Sequence, residues 1–482
     1  MEITSSAETV LNLSRLQFAL TIGFHYLFPP ISIGLGLILV IMEGMFLKTG
    51  DKAYETMTKF WVKIFAIVFA IGVATGIVME FQFGTNWAIY SRYVGDIFGS
   101  PLAAEGIFAF FLESGFLAIL VFGWNRVTPR IHFLATCMVS LGSMFSAVWI
   151  IVANSWQQTP GEIGKVFHVI EHQLSPGIFV QRAEILDFWA VVFNPSTVDR
   201  LVHVLLAAFI TGAFFVLSVS AWYLIKDVHV DFARRSFRIA LPVALIASLL
   251  QAVSGHSSGQ IVAEHQPAKL AAMEALYQTE QGAPLTLFGI PDSAARKVHA
   301  QVAIPGMLSW LAYNDPKAEV KGLDDPVFTD PETGEQNVPR MIGPIFWAFR
   351  VMVGVGMLFM LMCVVAVFHW WRGTLFQQRW LLSVFIPAVI LPHIGNQLGW
   401  FVAEVGRQPW IVQGLLKTSQ SFSPAVDVTE MIISLAMFFF IYAILFALFI
   451  FILDSRIKLG PAYFMDDGPK DAEDKAFGGG AS

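Results

Sequence analysis

Two carboxylates, Glu105 and Glu113, stand eight residues apart in a stretch of sequence that is otherwise apolar. Eight residues are a little more than two helical turns, so we expect both carboxylates on one face of a helix. Ionisable side chains are costly inside a membrane and usually have a function there. If this stretch crosses a membrane, the pair could pass protons along the helix. The alternative is a pair of hydrogen bonds between packed helices.

His203 and Met352 could together bind a haem. A methionine in an apolar helix is usually a packing residue. A histidine and a methionine at the same depth of a bundle can nevertheless form the axial pair of an electron-transfer haem. Arg350 could neutralise a haem propionate, or it could be an interfacial arginine whose charge reaches water.

His25 and Glu404 are two further candidate ligands within apolar segments. A hydrogen bond from His25 to a neighbouring helix is the alternative to a ligand role. For Glu404 the alternative is an ordinary ion pair with Arg407 at the membrane interface. His393, deeper in the segment that carries Glu404, is interpreted as structural.

The composition is that of a membrane protein. Of 482 residues, 56% are hydrophobic and 14% charged, which is more apolar surface than a soluble fold of this length can bury. The net charge of −6 indicates no nucleic-acid partner. Cys137 and Cys363 lie in apolar runs and predict no disulfide. Stretches of about 20 apolar residues predict an all-α bundle of about nine spans. They lie near residues 17–44, 60–82, 101–124, 131–154, 200–225, 237–258, 344–368, 381–403 and 428–453.

Basic residues in the short loops predict the orientation of the bundle. They follow the first, third, fifth, seventh and ninth spans, which places the N-terminus outside and the C-terminus inside. The N-terminus is acidic and lacks the cationic region of a cleaved signal peptide. Four parts are therefore expected: spans 1–6 (1–258), an extracytoplasmic loop (259–343), spans 7–9 (344–458) and a disordered cytoplasmic tail (459–482). Within the loop, 264–277 has helical spacing and 315–338 is predicted to be irregular.

The alternating direction of the spans places the candidate residues at a common depth. His25, Glu105, His203, Met352 and Glu404 come from different spans, yet all are predicted in the outer half of the membrane. Polar residues that only pack helices would scatter through the depth, whereas cofactor ligands from facing helices must cluster. We therefore expect the chemistry near the outer face.

Six segments carry a family resemblance: Ser14–Phe18 running to His25, Met79–Trp87, Phe111–Ser114, Lys269–Glu274, Thr286–Pro291 and Gly399–Trp410. In this order the chain resembles subunit I of the cytochrome bd-type quinol oxidases over nearly its whole length. Each motif alone would be weak, but the ordered set is specific. The resemblance implies a multi-pass protein of the bacterial cytoplasmic (inner) membrane. Such an oxidase takes electrons from quinol at the outer face and reduces oxygen to water with cytoplasmic protons. It thereby charges the membrane without pumping.

The resemblance also implies two haem b groups and one haem d. His203 and Met352 match the axial pair of the low-spin haem b. His25 and Glu404 match the ligands of the two high-spin haems, and Glu105 matches the carboxylate beside the oxygen-reducing haem, as a further candidate iron ligand. The remaining matches are Arg15, Arg350 and Arg407 for cofactor binding, Glu113 with Ser143 or Ser146 for proton relay, Trp400 between haems, and Lys269 and Glu274 for quinol oxidation.

The loop after Glu274 reaches the seventh span in about 70 residues, long for a loop but short for this family. The chain therefore resembles the short-loop, cyanide-insensitive branch, in which the third haem is either d-type or b-type. A second membrane subunit is implied as partner, and a small single-helix subunit stays open.

Two other interpretations remain from the residues. An ion-coupled transporter would explain intramembrane charges, but neither the His/Met pair nor the common depth, and the sequence lacks an internal repeat. An electron relay without oxygen chemistry would use the same haem ligands.

Overall fold

The computed structural model describes residues 5–175 and 178–461, which form a helical bundle with short strand pairs in the segments between the spans. The α-helices of this part are α1 (Ser5–His25), α2 (Pro29–Thr49), α3 (Lys52–Thr85), α4 (Ala88–Tyr93), α5 (Gly95–Ala104), α6 (Phe111–Phe122), α7 (Pro129–Gln158), α8 (Phe188–Val192), α9 (Thr197–Ile225), α10 (Val230–His265), α11 (Pro267–Glu274), α12 (Met307–Tyr313), α13 (Ile342–Trp371), α14 (Arg379–Phe385), α15 (Ile390–Val405) and α16 (Val428–Leu459).

In the described residues, nine helical segments are long and apolar enough to cross a membrane. This confirms the predicted all-α membrane bundle. Three of the nine are composite, because α1 with α2, α5 with α6, and α14 with α15 each make one segment. The predicted orientation rests on the loop charges alone and stays a prediction.

The first span is broken directly after His25. Residues 26–28 separate α1 from α2, and α2 begins with Pro29 and Pro30. Proline lacks the backbone N–H that would continue the helix, and it is favoured in a first turn. The sequence prediction of one continuous span over 17–44 missed this break. As a consequence, His25 lies at a helix end.

A π-helical turn over Glu105–Phe110 joins α5 to α6 inside the third span. Such turns bond residues five apart, are rare, and occur frequently at functional sites. The turn begins at one of the two carboxylates that the sequence analysis singled out. It changes the register of the side chains between Glu105 and Glu113.

The centre of the bundle is a close crossing of α2 and α9. A Cβ on Gly34 would lie 2.8 Å from the Gly212 Cα, so the two backbones touch where both residues are glycine. Fully buried aromatic side chains of α3 and α9 belong to the same core, among them Trp61, Phe65 and Phe214. The tight packing holds the helices that carry the candidate ligands.

In the part of the chain that the structure describes, four two-stranded antiparallel sheets lie between the helices, and the sequence analysis did not predict them. The strands are β1 (Phe167–Ser175), β2 (Ile178–Ile185), β3 (Glu280–Gln281), β4 (Leu285–Asp292), β5 (Lys297–Ile304), β6 (Glu319–Val320), β7 (Trp410–Val412) and β8 (Leu416–Lys417). They pair as β1–β2, β3–β6, β4–β5 and β7–β8.

The long segment between α10 and α13 contains α11 and α12 as well as β3–β6. Helix α11 occupies the middle of the stretch 264–277, which had helical spacing. The stretch 315–338 is mostly irregular, apart from β6 and a 3₁₀ turn at Pro326–Phe328. Of the expected cytoplasmic tail, residues 462–482 lie outside the described part of the chain.

Candidate functional site

His25 has the contacts of a preoriented ligand. Its Nδ1 lies 2.9 Å from the Thr75 hydroxyl on α3. A Cβ at Gly76 would lie 3.2 Å from the His25 Cε1, so this glycine makes room for the imidazole. A hydrogen bond at one ring nitrogen orients a histidine and leaves the other nitrogen for a metal.

The donor atoms of His203 and Met352 have defined contacts. The His203 Nδ1 lies 3.2 Å from the Ser254 hydroxyl, which favours the tautomer whose Nε2 lone pair can bind iron. That Nε2 is 2.9 Å from the Gln251 amide nitrogen. Among the described residues, the Gln251 Oε1 is buried without a hydrogen-bond partner. A Cβ at Gly399 on α15 would lie 3.0 Å from the Met352 sulfur.

These donor atoms fit haem. Imidazole and thioether are ligand types for haem iron, and Gly76 and Gly399 let the backbones of α3 and α15 pack directly against His25 and Met352. The orphaned Gln251 oxygen beside His203 also marks a polar position whose partner is not a protein atom of the described chain.

Glu105 and Glu113 both bond to helix α7. The Ser146 hydroxyl donates to Glu105 at 2.5 Å, and the Ser143 hydroxyl donates to Glu113. The two serines are three residues apart, so they share a face of α7. Glu80 of α3 lies within electrostatic range of Glu105. These two carboxylates, called the carboxylate ladder below, therefore lie where the π-helical turn and α6 contact α7.

Glu404 is held in a buried ion pair. Its Oε2 accepts from the Arg407 Nε at 2.9 Å, and its Oε1 accepts from the amides of Asn154 at 2.9 Å and Gln158 at 3.3 Å. The ion pair that was the alternative for this residue thus exists, but Arg407 is only 6% exposed. Iron binding at Oε1 would have to displace an amide donor, so the ligand role stays a prediction.

Lys269 and Glu274 point into different surroundings although both lie on α11. The Lys269 ammonium donates to the side-chain oxygens of Gln158 at 2.6 Å and Gln266 at 2.7 Å. Burial, followed by the nearby positive charges of Arg200 and Arg407, holds the pKa of Lys269 well below its usual value.

Glu274 accepts a hydrogen bond from Arg350 at 2.8 Å. Burial raises the pKa of Glu274, and the Arg350 guanidinium opposes this shift. Arg350 also donates to the backbone oxygens of Met273 at 2.7 Å and Thr286 at 2.6 Å. Its role as a partner of a haem propionate stays a prediction. In the structure its guanidinium ties the α11–β4 segment to α13.

A cavity of about 230 Å³ lies beside Lys269. Its walls come from the start of α11, the 3₁₀ turn and the segment after α15. Among the described residues, the Asn337 Oδ1 at this cavity is buried without a hydrogen-bond partner. Glu274 does not line the cavity, so the two predicted quinol residues do not share one pocket.

Three candidates have less defined surroundings. Arg15 is half-buried on α1, ten residues before His25. Trp400 is half-buried and follows Gly399, the residue that faces Met352. The His393 Nδ1 is buried, and no hydrogen-bond partner for it lies in the described chain.

The sequence analysis missed several polar residues of the bundle. Asn154, Gln158 and Arg200 surround Glu404. No sequence signal separates them from ordinary polar residues near a helix end. Glu43 forms a buried pair with His132, and it lies in an apolar run where the rule for intramembrane charges could have found it.

The fold and the site define a polytopic helical membrane protein with haem-ligand residue types and a carboxylate ladder inside the bundle. The model of the cytochrome bd terminal oxidase subunit I family matches residues 13–461. The chain belongs to this family and is a multi-pass bacterial membrane protein.

Individual relatives agree with this assignment. Subunit 1 of the cytochrome bd ubiquinol oxidase of Bacillus subtilis strain 168 is 39% identical, over 93% of this chain and 93% of the relative. Subunit 1 of the cytochrome bd-II ubiquinol oxidase of Escherichia coli K12 is 36% identical, over 95% and 98%. A chain in the structure of bd oxidase from Geobacillus thermodenitrificans has a TM-score of 0.82 at 30% identity, over 94% of this chain and 99% of that chain.

Proposed function

We propose that this chain is the quinol-oxidising, haem-binding subunit of a quinol:oxygen oxidoreductase that takes the protons for water from the cytoplasm. The observation that carries this proposal is one polar face of α7. Positions 132, 136, 140, 143, 146, 154 and 158 fall within an arc of about 120° at 3.6 residues a turn. This face contacts the carboxylate ladder through Ser143 and Ser146, and it contacts Glu404 and Lys269 through Gln158.

Three sets of residues would hold the three haems. The low-spin haem would be held by His203 and Met352, and the two high-spin haems by His25 and by Glu404. A haem with two protein ligands can only pass electrons, whereas a haem with one keeps a face open for oxygen. The composition is two haem b groups and one haem d, with haem b as the alternative at the third site if the short loop marks the cyanide-insensitive branch.

The quinol head group is assigned to the cavity beside Lys269. The unpaired Asn337 oxygen would accept a hydrogen bond from a quinol hydroxyl. Lys269 is the candidate base, because its lowered pKa makes the neutral amine accessible. Oxidation of one quinol releases two electrons and two protons, and the protons leave at the outer face.

Reduction of oxygen to water needs protons to reach a dry part of the bundle. Glu113 with Ser143 and Glu105 with Ser146 would hand them outward, since titratable groups are needed where bulk water is excluded. Because quinol protons are released outside and water's protons are taken from inside, the reaction charges the membrane without pumping. The relatives are named as subunit 1 of their oxidases, so a second membrane subunit is the expected partner.

The proposal is tested on the purified complex by a reduced-minus-oxidised optical spectrum and by oxygen uptake with a short-chain quinol. We expect low-spin and high-spin haem bands, and loss of the low-spin band in His203→Ala. A colourless complex would refute the haem assignment and return the transporter interpretation. Haem bands without quinol-dependent oxygen uptake would leave only an electron relay.

A further inference from the structure

A second acid–base cluster lies in the bundle, and the proposed function has not used it. Glu43 on α2 and His132 on α7 are each 1% exposed, and the His132 Nδ1 lies 2.6 Å from the Glu43 Oε1. Thr136 donates its hydroxyl hydrogen to the other carboxylate oxygen. Burying such a pair is expensive, and well-packed apolar residues of the same size would often be at least as stable.

The contacts of the His132 imidazole indicate where protons lie in the cluster. The His132 Nε2 lies 3.1 Å from the Leu120 carbonyl oxygen, which can only accept, so this nitrogen carries a hydrogen. The other nitrogen faces a carboxylate. One exchangeable proton is therefore shared between Nδ1 and the Glu43 Oε1, and the Oε2 that faces Thr136 is the position where a second proton can bind.

The cluster lies at the end of the bundle that the basic loops predict to be cytoplasmic. Glu43 is six residues before the end of α2 and His132 three residues after the start of α7. The Trp124 ring covers His132, with ring centroids 3.8 Å apart. The Lys59 ammonium lies 5.3 Å from the Trp124 ring and 3.0 Å from Glu55. Charged side chains thus lie on the other side of the Trp124 ring from the buried pair.

Helix α7 connects this cluster to the carboxylate ladder. His132, Thr136, Ser140, Ser143 and Ser146 lie on its polar face, and the path from the first to the last is about 21 Å at 1.5 Å per residue. Ser140 is buried against α2, where a Cβ on Gly36 would lie 3.3 Å from its hydroxyl oxygen. Hydroxyl groups therefore recur every three or four residues between the two acid sites.

We propose that Glu43 and His132 form the proton-loading site at the inner end of the path to Glu113. A proton from bulk water binds to the pair, which then carries a proton on the Glu43 Oε2 that faces Thr136. Once the Thr136 hydroxyl has turned its own hydrogen away from the carboxylate, the Oε2 proton passes to the hydroxyl oxygen. The hydroxyl hydrogen of Thr136 then moves towards Ser140 and Ser143, with water bridging the turns. One proton enters and one leaves, and no electrons are transferred. The inference rests on the proposed function.

The competing interpretation is a clamp that only holds α2 against α7. The variant Glu43→Gln distinguishes the two interpretations, because the amide keeps the shape and the hydrogen bonding of the side chain but cannot carry the proton of a carboxyl group. Glu43→Asp restores a carboxylate. Asp231→Asn is the matched control, because Asp231 is an exposed acid at the same end of the bundle whose partner is Arg235.

The complex is reconstituted in vesicles, reduced, and mixed with oxygen. A pH-indicating dye reports proton uptake, and absorbance separately reports haem reduction by quinol. In Glu43→Gln we expect proton uptake at least about a hundredfold slower, as for loss of a general acid–base group. We also expect a larger solvent isotope effect and unchanged haem reduction. Glu43→Asp should recover most of the rate, and Asp231→Asn should match the parent protein.

Unchanged proton uptake in Glu43→Gln would overturn the proposal and leave the clamp. Equal slowing of proton uptake and haem reduction would do the same, because it indicates a structural defect. If the variant does not assemble, infrared difference spectroscopy of the unmodified complex with isotope-labelled histidine decides. A change in imidazole protonation between the oxidised and reduced states supports loading, and no change refutes it. Absence of oxygen uptake by the unmodified complex would instead refute the proposed function.

Discussion

Replacement of Arg350 by methionine should release the α11–β4 segment, whose first residues line the candidate quinol cavity. Arg350 is 10% exposed and Glu274 is 2% exposed, so the substitution leaves a buried carboxylate without its cation. Removal of one partner from a buried ion pair costs about 3–5 kcal/mol. At about 1.4 kcal/mol per factor of ten, local opening of the segment around α11 and β4 should become roughly a hundred to a few thousand times more frequent.

Hydrogen exchange of the α11 and β4 amides in the intact complex measures this opening directly. The free-energy cost of leaving Glu274 unpaired should grow with pH. Burial already raises the pKa of Glu274, and protonation of this carboxylate in acid removes the unpaired charge. Arg296→Met is the matched control in the same loop. Its ion pair with Asp324 is 47% and 32% exposed, and exposed pairs contribute only about 0–1 kcal/mol. Exchange in Arg350→Met within a fewfold of that control would refute the reasoning.

Three further predictions concern the quinol base, the helix crossing and the proton ladder. The quinol oxidation rate should rise with pH through the lowered pKa of Lys269, because the base is the neutral amine. Lys269→Met should flatten this profile at saturating quinol, and an unchanged profile would contradict the assignment. Gly212→Ala should destabilise the bundle by about 1–3 kcal/mol through overpacking, seen as a lower thermal midpoint. Gly354→Ala, in open space, should be neutral or stabilising by about 0.5–1 kcal/mol. Ser143→Ala, which removes a hydrogen bond to the Glu113 carboxylate, should slow proton uptake about tenfold, as expected for a bond to a charged group. An unaltered uptake rate would remove Ser143 from the path.

The membrane class and the candidate ligands could be derived from the sequence for a simple physical reason. Burial of a charge in lipid is so costly that each ionisable residue in an apolar run becomes conspicuous. His25, Glu105 and Glu113 were visible in this way. The same rule applied to Glu43 would have found the inner cluster, but its partner His132 stands near a helix start, where a histidine is unremarkable.

Pairings across helices could not be derived in this way. From the sequence, Arg350 could have paired with a haem propionate or with Glu274. The choice depends on where Glu274, 76 positions away along the chain, packs. Likewise, the spacing of Lys269 and Glu274 on α11 does not reveal that one faces a cavity and the other an arginine. Such contacts follow from the packing of α11 between α13 and the end of α15.

Local chemistry alone determined that this chain spans a membrane many times and carries ligand-type residues and carboxylates within it, because apolar length and charge burial act residue by residue. Tertiary structure alone decided that α7 joins these groups along one polar face and that Arg350 holds the α11–β4 segment. Those features depend on contacts between segments far apart in the sequence, and their energy exists only once the helices pack.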